Sequence, residues 1–522
     1  MTDADSQTTP TKNRTVGIDL GTTLTKLAVV DASGRPVIVP NAEGELLTPS
    51  VVVFTKSGVI VGRDARREAL ANPARAVLNV KRQMGNPKWR FKVDGETYTP
   101  ESISALILKK VVKDAEMHIG PIRRAVITVP AYFDDARRKA TEDAGAIAGV
   151  EVLDIVNEPT ASALSYGLAE QGEDGVILVY DLGGGTFDVT VIEKRGNEFI
   201  TLATDGDVEL GGKDWDERLV NHLADAFRDE FADDPREDPQ ALSYLWLSAE
   251  EAKKTLSRRE YARVPVSFRG NWGNYDVSRE VFESLTEDLL AVTQLTTEMV
   301  LEEAGVTWAG VSRIIPTGGS TRMPMVQRLL GRMSGKDVKT EVPVDEAVAS
   351  GAAIHAAICV LEGGEPIHEL GAEAAERLGK IKTADVAAHA LGLIIKDART
   401  LEYRNDVIIP KNRRLPTSVS KTYQTAVDGQ QKIILQVVQG DAPSAEANII
   451  IGKAEVTGLP PGRPAGSLVR VTYSYDRKGR IHLTAEDQET GKTITTEITR
   501  ESGLKTEEVA EEAKRLGLKS VE

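Results

Sequence analysis

A chain that writes the same strand, glycine turn, strand phrase in two distant places is committed to two similar half-structures. RTVGIDLGTTLTKLAVVD (14–31) and GVILVYDLGGGTFDVTVIE (175–193) each set an Asp-Leu-Gly turn between two apolar runs. In the second, Phe187, Val189 and Val191 alternate with Asp188 and Thr190, the period of two of a strand with unlike faces. The repeat is too long-spaced for a solenoid and reads as two lobes, each offering one Asp-bearing hairpin. At 522 residues the chain exceeds what one core organises, so two or more domains are expected.

Between and after the hairpins, strands alternate with helices. AVITVPAYF (125–133) reads as a strand followed by a helix in DDARRKATEDAGAIAG. VEVLDIVNEPTASALSYGL (150–168) gives strand, turn and helix, with Pro159 suited to the helix's first turn. Charged helices dominate after residue 210, and VSRIIPTGGSTRMPMVQRLLGRM (311–333) again reads strand, glycine turn, helix. DEAVASGAAIHAAICVL (345–361) is rich in small residues, so that helix can lie close against a neighbour. The next stretch is charged, Gly-punctuated and poor in apolar residues, which suits a linker. Beyond it come short alternating strands: Val469, Val471, Tyr473 and Tyr475, a turn at 476–479, then Ile481, Leu483 and Ala485. That is a β-sandwich pattern. The expected division is a flexible tail at 1–13, a two-lobed α/β domain at 14–362, a linker at 363–388, an all-β sandwich at 389–503 and a short helix at 504–522.

Glycine admits positive φ and lets bare backbone N–H groups approach an anion; successive N–H groups make an anion-binding nest. Gly21-Thr22-Thr23, Gly183-Gly184-Gly185-Thr186 and Gly318-Gly319-Ser320 all qualify, and the third enters a predicted helix whose N-terminus also favours phosphate. No GxxxxGK(S/T) occurs, so this is not a P-loop protein, and no GxGxxG opens a helix. Asp19 and Asp181 stand at strand ends just before their turns, as suits holding Mg²⁺ through its waters beside phosphates. One Asp-Leu-Gly alone is ordinary turn chemistry. Two of them between apolar strands, with a third glycine turn downstream, favour a phosphate site.

The net charge of −15 gives no general pull toward nucleic acid or anionic membrane. Cys359 is the only cysteine, so no intramolecular disulfide can form and a reducing compartment fits. The polar start MTDADSQTTPTKNR has no signal-peptide core, and no apolar run approaches a membrane span, which makes the cytoplasm the expected location. The six histidines show no HxxxH, and no CxxC accompanies them, which argues against zinc.

Taken in order, GIDLGTT, NAEGELLTPSVV, NVKRQMG, AVITVPAYFDDARRKAT, IVNEPTASALSYGL, VYDLGGGTFDVTVIE, GGSTRMPMVQ and DEAVASGAA resemble the heat shock protein 70 (DnaK-type) chaperone family across residues 14–360. The resemblance implies a two-lobed actin-like, hexokinase-like (ribonuclease H-like) ATPase domain followed by an all-β sandwich, with ATP or ADP in the cleft between the lobes. It implies that Asp19 and Asp181 hold hydrated Mg²⁺, that Thr22 and Thr186 meet the terminal phosphates, that Lys81 places the attacking water, and that Glu158 orients that water or a magnesium ligand. Gly211 and Gly212, with Glu250, Lys253, Lys254 and Ser257 of AEEAKKTLS, would face the nucleoside, with Arg322 stacked on the base and Asp345 nearby. Pro130 and Arg138 match positions that couple nucleotide state to the other domain. Departures are Lys213, where the family has Gly-Gly-Glu, a short segment after Met84, and Thr317 before Gly318-Gly319.

Residues 389–503 resemble the family's peptide-binding sandwich less closely. The implied pocket is Leu393, Tyr423, Ala426, Ile433 and Leu435; on periodicity alone, the filling of a sandwich core is the favoured reading of these residues. Lys396 falls where the family has an apolar residue over the peptide, and TADVAAHALG replaces a leucine-rich linker, so domain coupling is expected to be weak or differently built. The family's helical lid is represented by its start alone, which implies fast peptide release. The resulting expectation is a monomeric, Mg²⁺-dependent, ATP-hydrolysing stress-response chaperone for extended apolar segments, with J-domain co-chaperone and nucleotide exchange factor as partners and no nucleic acid or membrane. A nucleotide-gated scaffold or exchange factor with little hydrolysis stays open as an alternative. A sugar or acid kinase on the same two-lobed plan is opposed by the sandwich and the density of motifs.

Overall fold

The computed structural model describes residues 14–522 except 170–173, 337, 339–342, 368, 398–399, 401, 458, 477–480, 498 and 501–502. The tail expected at 1–13 and most of the turn expected at 476–479 lie outside the described residues.

Two sheets follow one plan. The first runs Glu151–Asn157, Ile122–Val129, Arg14–Leu20, Leu24–Val30, Pro36–Val39, with Thr48–Pro49 paired onto Leu24–Val30. The second runs Val311–Thr317, Gly175–Leu182, Phe187–Arg195, Glu198–Asp207, Lys382–Ala384. In each, the strand ending in Asp-Leu forms an antiparallel hairpin across its glycine turn. On its other side it pairs in parallel with a strand from much later in the chain. The registers match as well: Asp19 stands opposite Lys26, and Asp181 opposite Asp188. Parallel strands covered on both faces must be apolar on both, and Val16, Ile18, Leu178, Val179 and Tyr180 are all fully buried.

Helix Ala347–Glu362 lies between the sheets. Ala353, Ile354 and Ala357 join a core with Val30, Ile177 and Val179, while Ala352 and Ala356 pack with Val126 and Val156. A Cβ on Gly17 would sit 2.1 Å from the Ala353 nitrogen, and one on Gly351 1.7 Å from the Ala161 carbonyl oxygen. Backbone meets backbone at both places, the close approach that small residues permit. In the second lobe, Trp215, Leu219 and Phe227 of helix Gly212–Phe231 cover Phe187, Val189 and Val191. No described helix is long and apolar enough to cross a membrane.

The segment read as a linker carries structure. Helix Ala372–Gly379 is followed by strand Lys382–Ala384, which adds in parallel to the edge of the second sheet at Glu198–Ile200. Its sparse apolar residues Ala374, Leu378 and Ile381 are all buried, so low apolar content concealed a short amphipathic helix.

Beyond it, one sheet runs Tyr403–Ile409, Leu391–Lys396, Lys432–Gln439, Ile449–Thr457, Thr499–Arg500, and the other Thr417–Gln424, Leu468–Tyr475, Ile481–Asp487, Thr493–Glu497. Val469, Val471, Tyr473, Tyr475, Leu483 and Ala485 point into the core between them, as the period of two requires.

The sandwich rests against both lobes through polar contacts. His389 Nε2 pairs with the Tyr132 carbonyl at 2.9 Å, the Asp135 N–H donates to Gln439 Oε1 at 3.3 Å, and Lys411 bridges Asp205 and Glu303. Asp385 Oδ1 accepts from the hydroxyls of Thr160 at 2.8 Å and Thr201 at 2.9 Å. The docking is thus built differently from a leucine-rich seam.

Helix Thr506–Gly517 lies on the first lobe, against helices Pro100–Ile119 and Asp135–Ile147. Leu516 and Val521 enter that lobe's core, and Lys109 Nζ donates to the carbonyls of Leu516 at 2.9 Å and Lys519 at 3.0 Å. These carbonyls lie at and just beyond the helix's C-terminal end, where a cation is favourable.

Candidate functional site

The two hairpin turns meet tip to tip. A Cβ on Gly184 would lie 2.6 Å from the Thr23 side chain, and one on Gly185 2.4 Å from that of Thr22. The triple glycine is bare because the opposite lobe's threonines occupy the space. Gly212 and Lys213 donate their N–H groups to the carbonyls of Gly183 and Gly184, both at 2.9 Å. The third turn arrives from the far side: Gly318 has φ +80°, and a side chain there would strike the Leu182 carbonyl and Asp181. Ser320 Oγ donates to the Gly183 carbonyl at 2.9 Å. The helix expected directly after this turn begins at Pro324, behind a 3-10 turn over Gly319–Arg322, because Pro324 takes the first helical position. Its N-terminus is therefore displaced from the glycines.

Buried charge lines the floor of this junction. Lys81 Nζ donates to Glu158 Oε1 at 2.5 Å, and both side chains are buried. Lys26 Nζ donates to Asp19 Oδ2 at 3.1 Å, and the Thr128 hydroxyl reaches Asp19 Oδ1 at 3.4 Å. Asp188, 1% exposed, accepts the Tyr132 N–H at 3.1 Å. Four carboxylates thus share a dry space with two ammonium groups. Burial, then the charges of Glu158 and Asp19, push Asp181 up to about 7. Burial, then Glu158 and Asp181, hold Asp188 well above the usual carboxylate range. Burial raises Glu158 too, although Lys81 pulls it back. Burial works against the Lys26 ammonium, but Asp19 beside it more than compensates and holds it above its ordinary value. The excess of negative charge in this set favours a cation.

Arg82 ties the first lobe to the second: Nε donates to the Gly185 carbonyl at 2.8 Å and Nη1 to Asp214 Oδ1 at 3.1 Å. Asp214 in turn accepts the Gly211 N–H at 2.7 Å. Lys253 Nζ donates to the Gly212 carbonyl and to Asp216, both at 2.8 Å; burial pushes Asp216 up to about 6 even so. Arg322 pairs with Asp345 at 2.5 Å, and Asp345 lies close to Gly319.

The family model described as Hsp70 protein matches residues 15–517. The chain belongs to the Hsp70 family. It is 42% identical over 516 residues to the "Chaperone protein DnaK" of Thermotoga neapolitana, covering 97% of this chain and 84% of that one. It is 41% identical over 489 residues to that of Thermosipho africanus, covering 92% and 79%. Against that of Halobacterium salinarum it is 40% identical over 504 residues, covering 95% and 76%. As an Hsp70 the protein is an ATP-dependent chaperone and an ATPase that binds nucleotide.

Within this Hsp70, Asp19, Gly21, Thr22, Thr23, Lys81, Glu158, Asp181, Gly183, Gly184, Gly185, Thr186, Gly211, Gly212, Gly318, Gly319 and Ser320 converge on the junction. Glu250 is engaged by Arg66 and Lys254, and the Ser257 hydroxyl bonds its own helix at the Lys253 carbonyl, 2.9 Å away. Lys213 lies over the Trp246 ring, 5.7 Å from its centre, while its backbone serves the glycine turn. Pro130 is buried, and Arg138 binds Asn157, the residue before Glu158, and the Phe133 carbonyl. In the sandwich, Leu393 and Leu435 are core residues with Tyr423 and Ile433 against them, and Ala426 is exposed and apart. Lys396 ends its strand exposed, paired in register with Tyr403.

Sequence reasoning missed Asp188, Lys26, Arg82 and Asp214. A signal for the first two existed: Asp188 and Lys26 follow their aspartates at the same offset, so a two-stranded hairpin puts each directly opposite. Arg82 and Asp214 come from opposite lobes, and no local pattern pairs them.

Proposed function

We propose that Mg²⁺ and ATP occupy the cleft where the three glycine turns meet, and that hydrolysis there drives binding and release of extended apolar polypeptide segments at the sandwich. The convergence of Asp19, Glu158, Asp181 and Asp188 on bare glycine backbone carries this reading. Asp19 and Asp181 would hold the metal, with Glu158 and Asp188 beside it. When bound, Mg²⁺ supplies positive charge that neutralises and orients the phosphates.

The chain's own residues do the rest. N–H groups at 21–23 and 184–186, with the hydroxyls of Thr22 and Thr186, would donate to the phosphate oxygens. Lys81, fixed by Glu158, orients the attacking water against the terminal phosphate. Phosphoryl transfer asks mainly for positioning and charge neutralisation, and this set provides both. Gly211, Gly212, Lys253, Glu250, Lys254, Ser257, Arg322 and Asp345 would meet the nucleoside.

Coupling to the sandwich runs beside Pro130 and Arg138 through one residue, Tyr132. The Tyr132 N–H donates to Asp188, and its carbonyl faces His389, whose ring lies 4.2 Å from the tyrosine ring. Clients would dock near Leu393, Tyr423, Ala426, Ile433 and Leu435, with a J-domain co-chaperone and an exchange factor setting the cycle.

The test is ATP hydrolysis with rising concentrations of an extended apolar peptide. Stimulation is expected in the native chain, and loss of turnover with a retained fold in Asp181→Asn and Lys81→Ala. A flat response refutes the coupling; unchanged hydrolysis in both variants refutes the site.

A further inference from the structure

We propose that Asp154, His355 and Cys359 form a binding site for a divalent transition metal of the zinc class, on the flank of the first lobe and separate from the nucleotide cleft. One ligand atom from each residue lies within 4.8 Å of the other two. His355 and Cys359 stand one helical turn apart on helix Ala347–Glu362, the spacing that puts two side chains on one face. Asp154 comes from strand Glu151–Asn157 at the edge of the first sheet, brought up because Ala352 and Ala356 let the helix settle onto Val126 and Val156.

Three observations go beyond proximity. His355 Nε2, on a buried ring, already meets Asp154 Oδ2 at 2.9 Å, close to the separation of two ligands on one metal. A metal there takes the place of the proton that these two atoms share. Second, a thiolate and a carboxylate together neutralise a divalent ion, so the complex suits the apolar surroundings of Leu153, Val126 and Val156. Third, Cys359 and Asp154 are half-buried, which leaves an approach for the ion and room for a solvent ligand in the fourth position.

The sulfur selects a zinc-like ion over Mg²⁺ or Ca²⁺. Tetrahedral ligands about 2.0–2.3 Å from zinc lie roughly 3.3–3.8 Å from one another, so the cluster closes by about 1 Å. His355 and Asp154 already lie 2.9 Å apart, so Cys359 is the residue that turns. Binding displaces the thiol proton and the Nε2 proton shared with Asp154, and both leave to solvent. The absence of HxxxH and CxxC argued against zinc because it considered ligands of one stretch of chain. Here an HxxxC pair is completed by a carboxylate remote in sequence.

The test uses the full-length chain, reduced, stripped with chelator, free of nucleotide and titrated with Co²⁺. Because Cys359 is the only cysteine, a thiolate-to-cobalt charge-transfer band reports this site alone. Expected are one equivalent of Co²⁺ per chain, displacement by Zn²⁺, no band in Cys359→Ser, and at least tenfold weaker binding in His355→Gln. Asp181→Asn, which removes a carboxylate of the nucleotide cleft, keeps the band. Circular dichroism verifies the fold of each variant. Absence of the band in the folded native chain, or its survival at unchanged affinity in folded His355→Gln, overturns the proposal and leaves a plain helix-to-strand ion pair.

Discussion

Replacing Lys81 by Met removes the ammonium that answers a buried carboxylate. Lys81 Nζ lies 2.5 Å from Glu158 Oε1, and both side chains are buried. Breaking such a pair on one side costs about 3–5 kcal/mol, because an uncompensated charge stays behind. Glu158 limits that cost by taking a proton. It already sits above the ordinary glutamate value through burial, with Lys81 pulling it down, and without Lys81 it rises further. A carboxyl raised in the folded state means that the native chain binds more protons than the unfolded one, so stability falls as pH rises. Relative to wild type, Lys81→Met should therefore lose little near pH 4, the unfolded glutamate range, and about 3–5 kcal/mol near pH 8. Adding Glu158→Gln removes the stranded charge and recovers most of the loss near pH 8. Urea unfolding of the nucleotide-free variants, followed by tryptophan fluorescence at low and high pH, reads both effects. An equal loss at both pH values, or a double variant no more stable than the single one at high pH, refutes the reasoning. Hydrolysis should be absent from both variants whatever their stability.

Four further outcomes follow from particular contacts. Burial and its acidic neighbours push Asp181 up to about 7 and a bound cation draws it down, so Mg²⁺-nucleotide binding should release a proton at and below that pH, with affinity rising as pH rises toward it; calorimetry in buffers of different ionisation heat measures the release, and Asp181→Asn should reduce it. Gly351→Val sets a side chain where a Cβ would lie 1.7 Å from the Ala161 carbonyl oxygen, and thermal unfolding should reveal a loss of about 3 kcal/mol or more. His389→Ala should keep basal hydrolysis and lose several-fold of the peptide stimulation, since it frees the Tyr132 carbonyl without touching the cleft. Leu516→Ala should weaken docking of helix Thr506–Gly517 by about 2–3 kcal/mol, seen as faster amide exchange confined to that helix.

Much of the architecture was written locally. The paired Asp-Leu-Gly hairpins, the small-residue helix and the alternation at Val469, Val471, Tyr473 and Tyr475 all depend on periods of two and near four residues, which neighbouring side chains display directly. The glycine turns were equally legible, because a backbone that must meet Thr22 or Thr23 has no room for a Cβ. Helix Ala372–Gly379 was harder, since the apolar signal of its buried Ala374 and Leu378 is diluted by charge on the exposed face.

What the tertiary structure alone decided is which charges face one another. Two hairpins of the same plan put Lys26 in one lobe and Asp188 in the other at matching positions, and that asymmetry leaves the cleft short of positive charge. Arg82 finds Asp214, Tyr132 finds both Asp188 and His389, and Asp154 finds His355 and Cys359, each across elements distant in the chain. Periodicity tells which face of a strand or helix turns inward. It carries no term for where two such faces cross, and the energies of buried charge depend on that crossing.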